Sequence, residues 1–377
     1  MKKLIFAGLL ICLCVALVAC TVRGPDALFE TEPDNAGVST PEDTQSDVVD
    51  IMYYTGKYQY GNMQKTNSGN FLLLNNEVVF DPFQQNHNVL YSYDLLTEKT
   101  QPLCKDATCK HGACVAGKLQ SNLEVYKGKL YGIDYKTRDG ASLPAVVNEN
   151  VPEIILDKSI SSFFHHEDKL YIEARNHSLM VLEEGQEEPQ TVLEECSGFW
   201  YAIWENYLYT NTWDFNIKRT DITMHNSEEE VLVANAQGMS DGQYIYYVDH
   251  TTSQLYRCNM DGSDPQLIED REVMGGSINF DDEYFYYRLF TDESLVETPD
   301  CYDIYSFPKD DPTQIEKIVT LPDPVSQVFT VPGTGKIFVT SYQFEKDEDD
   351  NIIYGDPLVY VMGTDGSNPT KLEFPEY

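Results

Sequence analysis

The stretch Tyr244–Ile268, YIYYVDHTTSQLYRCNMDGSDPQLI, decides how this chain is read. Its first residues are almost all aromatic or β-branched, the types that fit a pleated, half-buried strand. A polar run follows, then a second short strand through Tyr256 to Asn259. An Asp261-Gly262 pair, suited to a positive-φ turn, leads into a third strand. No long stretch downstream of the first twenty residues carries apolar positions at helical spacing together with cap signals at both ends.

Weaker copies of this unit recur along the chain. Aligned on the first apolar residue of the aromatic strand, they fall at Val78, Leu130, Leu170, Leu208, Ile245, Phe285 and Ile337, with spacings of 52, 40, 38, 37, 40 and 52 residues. Leu255–Ser263 and Val359–Ser367 are near-copies of the second strand and its Asp-Gly turn. A period of about forty with several short strands per unit predicts an all-β protein folded as a β-propeller. Seven blades are counted, or six if the irregular first unit is not a full blade. One blade cannot cover both of its faces, so blades stack radially and bury aromatic residues between them. That accounts for the 26 tyrosines, whose hydroxyls are expected to reach water or backbone at the rim.

The 377 residues carry a formal charge of −36, spread along the sequence without a Lys/Arg stripe. Nucleic acid is therefore excluded as a partner, and an anionic membrane surface would repel the body of the protein. Attachment to a membrane would need a dedicated anchor. Residues 1–19 have the form of one: Met1-Lys2-Lys3 is a positive start and Leu4–Ala19 an apolar run too short to span a bilayer. Residues 20–50 are rich in Asp, Glu, Pro, Ser and Thr and poor in large apolar side chains, the composition of a disordered acidic tether. The propeller is expected to occupy 51–377.

Leu17-Val18-Ala19-Cys20 resembles the lipobox of bacterial lipoproteins. That resemblance implies cleavage before Cys20, a diacylglyceryl thioether on its sulfur, palmitoyl-type acyl chains, and a protein held on the extracytoplasmic face of the cell membrane. More than one acyl chain at one site anchors durably. The unit Tyr246-Tyr247-Val248-Asp249, followed by the Asn-x-Asp-Gly-Ser turn, resembles the YWTD repeats of low-density lipoprotein receptor-like propellers, with Val248 in place of Thr. It is still more similar to propeller lipoproteins of Gram-positive gut bacteria, known as domains of unknown function. The likeness covers about residues 65–377 and specifies a strand pattern, not a chemistry.

Two insertions interrupt the period. In the first, Cys104, Cys109, His111 and Cys114 fall within eleven residues. This cluster is read as a disulfide between two of the three thiols, as reduced structural thiols, or as a Cys3His zinc site. In the second, Asp347, Asp349 and Asn351 alternate like the start of a calcium loop, but the expected Gly and closing Glu are absent, so a solvated acidic hairpin competes with calcium. Trp200, Trp204 and Trp213 share the fourth unit and are weighed as a glycan-stacking platform against packing between blades. Gly238-Met239-Ser240-Asp241-Gly242 matches a nucleophile elbow in letters, but a strand follows where the elbow needs a helix. His165 and His166, adjacent on a strand, point to opposite faces and are given no role.

No residue set is assigned a catalytic role and no cofactor is required, zinc and calcium being the two candidates. The reading is a lipid-anchored binding or scaffold protein whose propeller loops take a protein, peptide or glycan. The alternative is a glycan- or peptide-acting hydrolase or lyase using channel carboxylates. A third is an assembly role in the envelope, similar to TolB-like propellers.

Overall fold

The computed structural model describes residues 72–74, 77–80, 89–106, 108–111, 114–127, 129–134, 143–148, 151–166, 168–195, 201–212, 214–274, 278–289, 302–331, 334–346 and 352–374. Residues 1–19, the tether with Cys20, and the calcium candidates Asp347, Asp349 and Asn351 lie outside them. So do Trp200 and Trp213.

Seven four-stranded antiparallel sheets form the propeller, each made of four strands in chain order. Blade 1 holds β1 (Leu72–Leu74), β2 (Glu77–Phe80), β3 (Tyr91–Asp94) and β4 (Lys99–Pro102); blade 2, after the short helix α1 (Val115–Lys118), holds β5 (Leu119–Tyr126), β6 (Lys129–Asp134), β7 (Leu143–Asn148) and β8 (Val151–Ile154). Blade 3 is β9 (Ile160–His166), β10 (Lys169–Ala174), β11 (Leu179–Glu183) and β12 (Gln190–Leu193); blade 4 is β13 (Tyr201–Trp204), β14 (Tyr207–Asn211), β15 (Ile217–Asp221) and β16 (Glu229–Val233). Blade 5 is β17 (Ala236–Ser240), β18 (Tyr244–Asp249), β19 (Leu255–Asn259) and β20 (Gln266–Glu269); blade 6 is β21 (Asn279–Phe280), β22 (Tyr284–Tyr287), β23 (Asp303–Pro308) and β24 (Glu316–Thr320). Blade 7 is β25 (Val325–Val331), β26 (Lys336–Lys346), β27 (Ile352–Gly363) and β28 (Thr370–Lys371). All seven alignment residues sit on the second strand of a blade, and the first unit is a full blade. The second insertion is chiefly a lengthening of β26 and β27 into one long hairpin.

Burial follows position within the blade. Second strands are nearly fully buried, as in β18 and β22, whereas fourth strands such as β16, β24 and β28 are largely exposed. A register shift between third and fourth strands recurs at Leu179/Met180, Ile217/Lys218, Leu255/Tyr256 and Ile304/Tyr305. Such bulges increase strand twist at the outer edge.

Adjacent blades share apolar clusters all the way round. Phe163 and Ile133 join blades 2 and 3, Leu179 and Ile203 join 3 and 4, Tyr209, Tyr246 and Phe285 join 4, 5 and 6, and Tyr286 and Ile337 join 6 and 7. The ring closes where Phe338 of blade 7 meets Phe80 and Tyr93 of blade 1, with ring centroids 6.2 and 5.7 Å apart. Among the described residues no strand crosses this seam, since both blades are built from consecutive strands. Among these residues, closure therefore rests on side chains.

The tyrosine hydroxyls depart from the sequence expectation. Tyr286 donates to Asp281 at 2.8 Å, Tyr287 to Glu269 at 2.7 Å, and Tyr360 to Asp323. Only Tyr209 follows the backbone pattern among these, donating to the Met260 carbonyl at 3.2 Å. Carboxylates are the stronger acceptors, and this acidic chain places them beside the buried rings. Both glycines of the elbow-like pattern are structural. A Cβ on Gly238 would stand 2.2 Å from the Tyr246 carbonyl oxygen, and one on Gly242, at φ +82°, would stand 2.5 Å from the Trp204 ring. Ser240 ends β17, donates to Met260 Sδ and accepts from the Gly242 amide.

Candidate functional site

Strands in a blade alternate in direction, so connections 2→3 and 4→1 leave from one face of the ring and connections 1→2 and 3→4 from the other. The longest connections, 81–90, 103–118, 135–142, 270–278 and 288–302, all leave from the first face. The second face carries short turns such as 205–206, 241–243 and 281–283.

The Cys/His cluster belongs to the long-connection face, on the segment between β4 and β5. The sulfurs of Cys104, Cys109 and Cys114 and a ring nitrogen of His111 lie within 4.8 Å of one another. Cys104 Sγ is 3.1 Å and Cys114 Sγ 3.5 Å from His111 Nδ1. The three thiols are free. Cys104 and His111 are buried, and Cys104 belongs to the core shared by blades 7, 1 and 2. Burial, aided by the neighbouring Cys114 and Cys109 thiols, pushes the Cys104 thiol up to about 12, against one backbone hydrogen bond from Asp106.

Local backbone chemistry brings the four donors together. Lys105 and His111 adopt left-handed φ of 55° and 51°, turning the chain sharply after Cys104 and after Cys109-Lys110. Asp106 Oδ1 accepts from the Thr108 amide and hydroxyl, an Asx turn that sets the approach to Cys109. Cys114 then caps α1, its carbonyl accepting from the Gly117 and Lys118 amides. A Cβ on Gly117 would stand 1.4 Å from the His111 carbonyl oxygen, so only glycine lets α1 lie against the histidine. Gly117 is a positioning residue that ligand-type searching of the sequence passes over.

A second feature of the same face is aromatic. Phe215, 44% exposed, stands on connection 212–216 with a φ of 56°, strained for an aromatic residue. Its ring centroid is 4.0 Å from that of exposed His250 on the next blade. Partial burial holds the His250 imidazolium below its ordinary pKa, with Asp249 opposing. The loops beneath are tied across blades: Ala236 donates to the Phe215 carbonyl, His250 to the Asn235 carbonyl, and Asn235 Nδ2 to Thr251 Oγ1. Neither residue was marked in the sequence, where nothing distinguishes an exposed Phe from a core one.

The opposite face holds a cleft of about 710 Å³ between blades 5 and 6, lined by Asp241, Arg257, Asp282, Glu283 and Lys309 among others. Arg257 lies 4.5 Å over Tyr244, and Lys309 Nζ is 3.9 Å from Asp241. Burial pushes the Asp282 carboxyl up, with Lys309 opposing. Trp204 is half-buried in the contact between blades 4 and 5, the packing role weighed against glycan stacking. His165, unassigned in the sequence, is buried and 2.6 Å from Glu124 Oε2, while Glu173 is bonded to Ser162 and His177.

No family model matches the chain, and no curated protein matches it. Among solved structures, it is similar to an oligogalacturonate lyase from Vibrio parahaemolyticus at 13% identity, covering 73% of this chain and 82% of that one with a TM-score of 0.48. A chain of a nidogen/laminin complex matches at 13% identity over 67% of this chain and 92% of that one, TM-score 0.37. BamB from Moraxella catarrhalis matches at 9% identity over 58% and 68%, TM-score 0.38. These are likenesses of fold. The chain is a seven-bladed β-propeller on the strength of its own seven sheets.

Proposed function

We propose that this chain is a lipid-anchored, extracytoplasmic binding or scaffold protein that engages a protein, peptide or glycan through the face from which the long connections leave. The observation that carries the reading is Phe215, an exposed aromatic held at positive φ against His250 by loops tied across two blades. Backbone strain at an exposed ring is retained where the ring has work to do. Rigid aromatic anchors dominate binding surfaces. The anchor rests on the lipobox-like run ending in Cys20.

Phe215→Asn tests the surface, because Asn tolerates the left-handed backbone and removes only the ring. The variant should be more stable than the parent by ~1 kcal/mol and lose cross-linking to the partner on intact cells. Unchanged cross-linking yield, with the parent's partner profile intact, would refute it. For the anchor, Cys20→Ser should abolish labelling by a palmitate analogue and release the chain into the medium. Retention on the membrane with unaltered labelling would sink that half of the reading.

A hydrolase or lyase is the second reading. Its support is the cleft between blades 5 and 6, where Asp282, an exposed carboxyl raised by partial burial, shares the lining with Asp241 and Glu283. Paired carboxylates in a cleft are the arrangement acid/base cleavage uses. Turnover of glycan or peptide by the purified chain, abolished by Asp282→Asn, would replace the binding reading.

A further inference from the structure

The geometry points to a structural zinc(II) site formed by Cys104, Cys109, His111 and Cys114, fastening blade 1 to blade 2. A tetrahedral centre with bonds of about 2.3 Å to sulfur and 2.0 Å to nitrogen needs S···S edges near 3.8 Å and S···N edges near 3.5 Å. The donors already lie within 4.8 Å of one another, with S···N separations of 3.1 and 3.5 Å at Nδ1 of His111. Small side-chain adjustments bring all four onto one ion.

The backbone supports the same conclusion independently of donor proximity. The His111 amide donates to Cys109 Sγ at 3.4 Å. This is an i+2 N–H aimed at the cysteine sulfur, the arrangement that stabilises a metal-bound thiolate. A neutral thiol is a weak acceptor and rewards such turns little. The turns after Cys104 and Cys109 also carry left-handed non-glycine residues, Lys105 and His111. That strain persists only where something holds the loop together.

Three thiolates and one imidazole are soft to borderline donors and select zinc over calcium or magnesium. Four protein ligands leave no open position, which makes the centre structural and not catalytic. Binding displaces the three thiol protons to solvent and leaves His111 neutral, with Zn(II) unchanged in oxidation state. The site spans a connection between two blades, within the core that also receives blade 7. It thus stiffens the region next to the seam between blades 7 and 1.

The test uses the full chain purified from zinc-supplemented cells without chelator or thiol reductant. Elemental analysis should give one zinc per chain, and native thiol titration should gain three reactive thiols on adding chelator. Replacement by cobalt(II) should produce the visible bands and near-ultraviolet thiolate charge transfer of a tetrahedral sulfur-rich centre. Cys109→Ser and His111→Ala should lower zinc affinity at least tenfold, and Cys258→Ser, a buried thiol outside the cluster, should leave it unchanged. The wild-type stoichiometry is informative even if a variant does not fold. A disulfide between any two of Cys104, Cys109 and Cys114 in the isolated chain overturns the proposal. So do three thiols equally reactive before and after chelator, or iron in place of zinc.

Discussion

Substituting Phe338 by Ala would test how this ring is closed. Phe338 is fully buried on β26, edge-on to Tyr93 at 81° and tilted 42° to Phe80. Truncating a buried Phe costs ~3–5 kcal/mol, and the two lost aromatic pairs place this one in the upper half of that range. About 4 kcal/mol in a domain of about 330 residues, at roughly 2 cal/mol/K of unfolding entropy per residue, lowers Tm by ~6 °C. Phe285→Ala is the control. It stacks on Phe307 at 5.0 Å and lies 4.6 Å from Tyr246, so its packing loss is similar, but blades 5 and 6 are joined by the chain itself. Hydrogen exchange should distinguish the two variants. Phe338→Ala should lose protection first in β1–β4 and β25–β28, because no described strand holds the seam once the rings are gone. A Tm drop under about 2 °C, or protection lost evenly over the blades, would refute closure by side chains alone.

Two further outcomes follow from the carboxylates. Glu269 is buried, which pushes its carboxyl up, but Arg271 and Tyr287 hydrogen bonds outweigh burial and hold it below the ordinary range. Glu269→Ala should cost ~2–3 kcal/mol by urea denaturation, below a fully buried pair because Arg271 is 48% exposed and can rehydrate. Glu269→Gln, which still accepts from Tyr287, should recover part of that loss; equal damage from both substitutions would contradict the assignment. Asp365 on the β27–β28 turn is held low by the Ser367 hydroxyl and amide. A depressed folded pKa means stability that is present above the unfolded value of about 4 and lost as pH falls through the folded one. Asp365→Asn keeps the amide bond and removes the charge, so its unfolding midpoint should respond less to pH than the parent's over pH 5 to 2. Identical pH slopes would show that the turn does not couple folding to protonation.

The blades were legible in the sequence because each repeats one local event, an aromatic second strand after a tight turn. Each alignment residue from Val78 to Ile337 occupies such a strand. The Cys3His residues were visible as types, but the spacing of Cys104 and Cys109 concealed their convergence. That convergence depends on left-handed turns at Lys105 and His111 and on the missing side chain of Gly117, conformational facts that no ligand pattern encodes. The pairing of Glu124 with His165 spans 41 residues and two blades, so no local window contains it. Tyrosine burial was foreseen, its acceptors were not: Asp281 lies five residues before Tyr286, but Glu269 and Asp323 come from separate strands and turns.

The acidic surplus takes on a different meaning once its hydrogen bonds are traced. Asp94, Asp221, Asp261, Asp311 and Asp365 each start a 3→4 turn by accepting from the backbone amide two residues on. Asp241 and Asp281 do the same in 1→2 turns. All seven lie on the short-turn face, where Asp is the residue that makes a tight turn. Seven of the 62 acidic residues thus serve in turns on that side of the ring, and Asp106 and Asp249 make the same bond on the other. The other side breaks the repeat with its long connections and holds both the Cys3His cluster and the Phe215–His250 pair. Neither feature is needed to fold a blade, since the other blades form without them. Residues that the repeat does not require, concentrated on one face, are where a propeller's individual function is carried.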